Sequence, residues 1–167
     1  MSTVHEELAR RIRGEVPDLD RVAQRARQAW SRVQQAPYER AYLDSVALNL
    51  HSLYSGLERL FELIARHVDH TVPTGRTWHR DLLQQMARDQ ECVRPAVIGR
   101  DSALALDEFR RFRHLVRNVY TVNLVPDRMV GLVSALSELW PRLRAELLAF
   151  ADFMDELAQA SQIGERT

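Results

Sequence analysis

Apolar positions along this chain recur in steps of three and four. The clearest run is Leu43, Val46, Leu50, Leu53, Leu57, Leu60 and Ile64, one seam of a long helix predicted from about Tyr38 to Val68. A second long seam carries Leu132, Leu136, Leu139, Leu143, Leu147, Phe150, Met154 and Leu157, with Pro141 predicted to kink it. Between them lie a short helix from Trp78 to Arg88 and another through Leu104, Leu106, Phe109, Phe112 and Val116, capped by Asp101 or Ser102. This last helix is predicted to end near Tyr120, where β-branched residues precede Pro126. Upstream, an amphipathic piece reaches Arg13, and Gly14 and Pro17 are expected to interrupt it. Asp18 or Asp20 then caps a second helix bearing Val22, Ala26, Ala29 and Val33, which Pro37 ends. His67 to Arg76 reads as a loop around Pro73 and Gly75, and the tail from Gln159 is expected to fray. Helices joined by short breaks predict an all-α, up-and-down helical bundle with four to five main helices in one domain, residues 1–167.

Composition supports this class and trims it. Six glycines and six prolines in 167 residues are too few for a turn-rich sandwich or barrel. Leu outnumbers Ile 22 to 4, which favours helix because Ile is branched at Cβ and Leu is not. No apolar run approaches the roughly 18 residues of a membrane span, and the first residues hold no apolar signal core. One cysteine, Cys92, excludes an intramolecular disulfide. A chain with no membrane partner in a reducing, cytoplasmic compartment is expected.

Charge changes the picture only locally. The formal net charge is zero, yet every one of the 23 basic residues is Arg. Five basic residues, Arg110, Arg111, Arg113, His114 and Arg117, crowd the stretch FRRFRHLVRNVY that ends at Tyr120. On a helix, Arg113, Arg117 and Tyr120 share one stripe, His114 and Asn118 the next, and Phe109, Phe112 and Val116 face the core. Such a face can hold a phosphate backbone, or it can pair with acids such as Asp152, Asp155 and Glu156.

The order of these residues resembles the signature of the HEPN superfamily, most closely the HepT-like ribonuclease toxins: Arg, a polar residue, three residues, His, one residue, Tyr. Arg113, His114 and Tyr120 match it. The segments DSVALNLHSLYSGLERLFELIA (44–65) and TWHRDLLQQM (77–86) look like those proteins too. The resemblance implies a homodimeric endoribonuclease without metal or cofactor. Arg113 would hold the scissile phosphate with His114 and Asn118 beside it, and Arg110 and Arg117 would bind RNA. It also implies a partner, a small MNT-type nucleotidyltransferase antitoxin that adds AMP to Tyr120, placing negative charge beside Arg113 and Arg117.

One position departs from the pattern: Asn118 stands where the motif has its histidine. Asn can hydrogen-bond a phosphate but cannot titrate. His114 takes over the proton work, the branch works without it, the protein binds RNA without cutting, or the substitution disarms a ribonuclease. The sequence leaves these open. Other candidates carry less weight. His67, Asp69 and His70 are close donors without a fourth ligand for zinc. Asn49, His51, Tyr54 and Glu58 lie near the long seam and are expected to satisfy one another or to line a groove between protomers. His79 and Arg80 open the short helix, in capping or surface roles or in contact with substrate. Arg94 near Cys92 can lower the thiol's pKa, but no partner for a nucleophile is evident.

Overall fold

The computed structural model describes residues 3–118 and 126–164. Five helices account for the fold: α1 (Val4–Gln35), α2 (Arg40–His67), α3 (Trp78–Met86), α4 (Arg100–Asn118) and α5 (Pro126–Gly164). Among the described residues there is no strand, only one isolated bridge between Gln90 and Arg94. The all-α bundle is as predicted.

The N-terminal helix differs from its expectation. It starts with a capping box, in which Glu6 N donates to Thr3 Oγ1 and Thr3 N donates to Glu6 Oε2. It then runs unbroken through Gly14 and Pro17. Both residues are exposed, while Leu8, Ile12, Val16, Leu19, Ala23, Ala26 and Val33 bury one continuous face. Pro17 removes one backbone hydrogen bond on the solvent side, where water can take the freed carbonyl, and the packed face outweighs that loss. Pro141 of α5 is accommodated in the same way, exposed within a continuous helix.

Pairs of contacting residues fix the directions. Leu19 meets Gly56 and Arg32 lies 5.7 Å over the Tyr42 ring, so α1 and α2 are antiparallel. A Cβ at Gly56 would stand 2.7 Å from Leu19 Cδ2, so any larger residue there would force the Leu19 side chain to shift. Along α5 the partners of α1 run backwards. Gln162 donates to Glu6, Arg13 pairs with Asp152 and Asp155, and Trp140 Nε1 donates to Asp20 at 2.7 Å. The Gln162 bond shows α5 continuing past Gln159, where fraying is expected from the sequence; its last residues are helical and exposed. All five helices contribute to one apolar core. Burying each large side chain there, Phe61 or Phe109 for example, stabilises the fold by about 1.5–3 kcal/mol.

The expected caps of α4 do not form as read. Asp101 and Ser102 lie inside its first turn, and the N-terminus is closed from α5: Gly99 N and Ser102 Oγ both donate to Glu146 Oε1. A carboxylate there meets the positive end of the helix dipole. Leu104, read as part of the seam, is exposed, whereas Leu106, Phe109 and Phe112 are buried and Val116 half-buried.

Candidate functional site

With Phe109 and Phe112 turned to the core, the basic residues of α4 face α2, α3 and solvent. Much of their charge is met by acids one turn earlier on the same helix. Arg110 Nε donates to Asp107 Oδ1 at 2.7 Å, and Arg111 Nε lies 2.9 Å from Asp107 Oδ2. The alternative of pairing with Asp152, Asp155 and Glu156 does not hold for the first two. They hold Arg13 at 2.6 and 2.7 Å, because this part of α5 packs along α1.

Arg113 points to α2. Residues His51, Ser55 and Glu58 fall at i, i+4 and i+7 and so share one face of that helix. Arg113 Nε donates to Ser55 Oγ at 2.9 Å, and Nη2 stands 3.6 Å from Glu58 Oε1. The other oxygen of Glu58 lies 2.7 Å from Nδ1 of His79, in the first turn of α3. Glu58 is buried, so this carboxylate needs partners, and it has one at each oxygen. It does not serve Tyr54 as expected from their spacing. Tyr54 is buried, and its hydroxyl is pushed above its ordinary pKa by burial first and by the Glu58 charge second. Asn49 bonds back to Ser45 on its own helix. His51 feels both motif-region arginines: burial, then Arg113, then Arg117 hold its pKa below the ordinary imidazole value.

Beside this network a cavity of about 560 Å³ opens between the loop before α3, α3 itself and α4. Arg76, Arg80, Arg110 and Arg117 line it, with His79 and His114. No acid is among the described lining residues, although Asp107 pairs with Arg110 and Asp81 with Arg80 from outside the lining, so the lining itself carries positive charge. Trp78, also in the wall, stacks on His79 with ring centroids 3.6 Å apart. Gly75 shapes the rim at φ +93, a backbone conformation that favours glycine. The volume falls within the usual range of ligand sites.

The structure therefore separates the predicted residues. Arg110, His114 and Arg117 line the cavity, whereas Arg113 lies behind it and joins it through Glu58 and His79. The Asn118 side chain and all of Tyr120 lie outside the described residues. The loop donors are not a metal cluster: Asp69 is engaged by Arg94, and no group of three metal-ligating side chains occurs among the described residues. Arg94 is buried against Asp69, and Cys92 is exposed. Sequence reasoning left Ser55, Arg76 and Trp78 unassigned and gave His79 and Arg80 minor roles. The spacing of His51, Ser55 and Glu58 was the available signal for α2; nothing local announced Arg76.

A family model described as HepT-like protein matches residues 45–154, about two thirds of the chain. That range begins in α2, so α1 lies outside it and both walls of the cavity lie within it. No curated protein and no solved structure matches the chain.

Proposed function

The chain belongs to the HepT-like family, and on that premise we propose that it is a ribonuclease toxin, a metal-independent endoribonuclease. Its substrate is RNA, with tRNA the first to try, and it works as a homodimer. A nucleotidyltransferase antitoxin neutralises it by adding AMP to Tyr120. The observation that carries the reading is the cavity, where four arginines and two histidines converge without an acid among the described lining residues. Guanidinium groups fit phosphate oxygens in pairs, and imidazoles move protons near neutral pH. Together they suit attack of a 2′-hydroxyl on the adjacent phosphodiester. In this reading Arg110 and Arg117 hold the backbone, Arg113 supplies positive charge behind the site, and His114 works at the reacting oxygens in place of the absent motif histidine.

Asn118 favours a second reading, an RNA- or partner-binding module of the same fold that does not cut. No helix among the described residues is long and apolar enough to cross a membrane.

Cleavage of total RNA and purified tRNA in excess EDTA separates the two. Cutting by the chain as written, lost in Arg113→Ala, supports the ribonuclease. Cutting by Asn118→His alone supports a scaffold disarmed at one position, and RNA binding without cutting by either supports the module. A mass spectrum after co-expression with a cognate nucleotidyltransferase tests the modification separately; an unmodified Tyr120 rules it out.

A further inference from the structure

We propose that Glu58 and His79 form a carboxylate–histidine dyad that transfers the proton in RNA cleavage, at the wall of the cavity opposite α4. The inference rests on the ribonuclease reading and names a proton-transfer group outside the α4 motif. An ionised carboxylate only accepts hydrogen bonds. Glu58 Oε2, 2.7 Å away, therefore keeps the ring proton on Nδ1 and leaves the lone pair of neutral His79 on Nε2.

Exposure tells where that lone pair faces. The Glu58 side chain is 4% exposed and that of His79 23%, and His79 lines the cavity. Buried Glu58 occupies the Nδ1 edge, and on this proposal the Nε2 edge is the one that reaches the cavity. Trp78 stacks on the ring and restricts its plane, while Arg113 Nη2 stands 3.6 Å from Glu58 Oε1 and holds the carboxylate from its other side. A base must be held, and it must also be reachable. A ring pinned on one edge and open on the other, beside Arg76, Arg80, Arg110 and Arg117, meets both conditions.

The step balances as follows. His79 Nε2 takes the proton of the 2′-hydroxyl as that oxygen bonds to phosphorus. The bond from phosphorus to the 5′-oxygen breaks, its electron pair staying on oxygen. His114, on the α4 side of the cavity, gives that oxygen a proton. A 2′,3′-cyclic phosphate and a 5′-hydroxyl result, and solvent exchange returns both rings to their starting state. His79 is the catalytic residue and Glu58 its positioning residue.

The test compares the full chain with His79→Gln, Glu58→Gln and Arg113→Ala in excess EDTA, alongside thermal melting and RNA binding. His79→Gln should lower kcat at least about 100-fold with KM changed less than about threefold. Glu58→Gln should lower kcat about 10–100-fold. It should also move the His79 ring proton in ¹⁵N NMR from Nδ1 alone to a mixture of Nδ1 and Nε2, a change that a merely structural role would not produce in step with kcat. If the chain cuts RNA and folded His79→Gln cuts equally fast, the dyad is overturned and the ribonuclease reading stands. A wild-type ring protonated on Nε2, with Nδ1 bare, overturns the dyad without reference to activity. RNA bound but uncut by the chain as written overturns both.

Discussion

Helix α3 is nine residues long and has a buried carboxylate network at each end. Near its C-terminus, Arg94 and Asp69 form a closed pair. Arg94 donates from Nε to Asp69 Oδ1 at 2.6 Å and from Nη2 to Oδ2 at 2.7 Å, and its remaining donors reach the carbonyls of Gln85, Arg88 and Pro95. Gln85 Nε2 adds a bond to Asp69 Oδ2. The two side chains are 0% and 2% exposed. At the other end, Glu58 is as deeply buried, but its partners Arg113 and His79 retain contact with solvent. The first network matches all five guanidinium donors and offers nothing to a ligand. It clamps the loop after α2 to the loop after α3. The second is held on one side and open on the other, the arrangement that chemistry needs. Burial of charge alone does not mark a site; burial with one accessible edge does.

The largest effect should come from opening the closed network. Asp69→Asn leaves the buried Arg94 charge uncompensated and should destabilise the fold by about 3–5 kcal/mol, read from urea unfolding. RNA binding by the molecules that remain folded should be unchanged. Glu58→Gln, the matching change at the open end, should cost only about 1–2 kcal/mol, because Arg113 retains Ser55 and both former partners can turn to water. Equal losses in the two variants would erase the distinction between a clamp and a site.

A smaller effect is expected at the mouth of the open end. Arg110→Ala and Arg117→Ala should each reduce the slope of log affinity for single-stranded RNA against log salt by about 0.7, the contribution of one phosphate contact. Arg21→Ala should leave it unchanged, since Arg21 is exposed on α1 and is not among the residues that line the cavity. If all three slopes match that of the parent chain, RNA does not enter the cavity.

The clamp and the site were unequally legible in the sequence. The seam of α2, from Val46 through Leu50, Leu53, Leu57 and Leu60 to Ile64, is repeated and local. The order of the helices and most of the core face of α4, Leu104 excepted, follow from periodicity of this kind. Breaks were overread where a residue's local cost fell on the solvent side, as at Gly14 and Pro17. Long-range partners were hidden: Glu58 and His79 are 21 positions apart and Glu58 and Arg113 are 55 apart, and no spacing rule joins them. Spacing did place Tyr54 beside Glu58 on one helix face, yet α3 and α4 supplied stronger partners for the carboxylate. The arginine-rich stretch itself was plain, and its division into cavity-lining Arg110 and Arg117 and inward-facing Arg113 required the packing of three helices.

The smallest effect concerns His51, on the same face of α2 as Ser55 and Glu58. Burial and the charges of Arg113 and Arg117 hold its folded-state pKa below the ordinary value of 6.5. Below that value the unfolded chain binds a proton that the folded chain resists, so the unfolded state gains. The stability linked to this group is complete above about pH 6.5 and is lost as pH falls through the lower folded value. The urea midpoint of the parent chain should therefore drop more between pH 7 and pH 5 than that of His51→Gln, while the other histidines cancel in the difference. Equal drops would mean that neither burial nor the two arginines holds His51 below its ordinary value. If RNA phosphates reach those arginines, a saturating oligonucleotide should offset their charge and raise the His51 titration midpoint in NMR. A midpoint unmoved by bound RNA would confine the ligand to the outer wall of the cavity, away from Arg113.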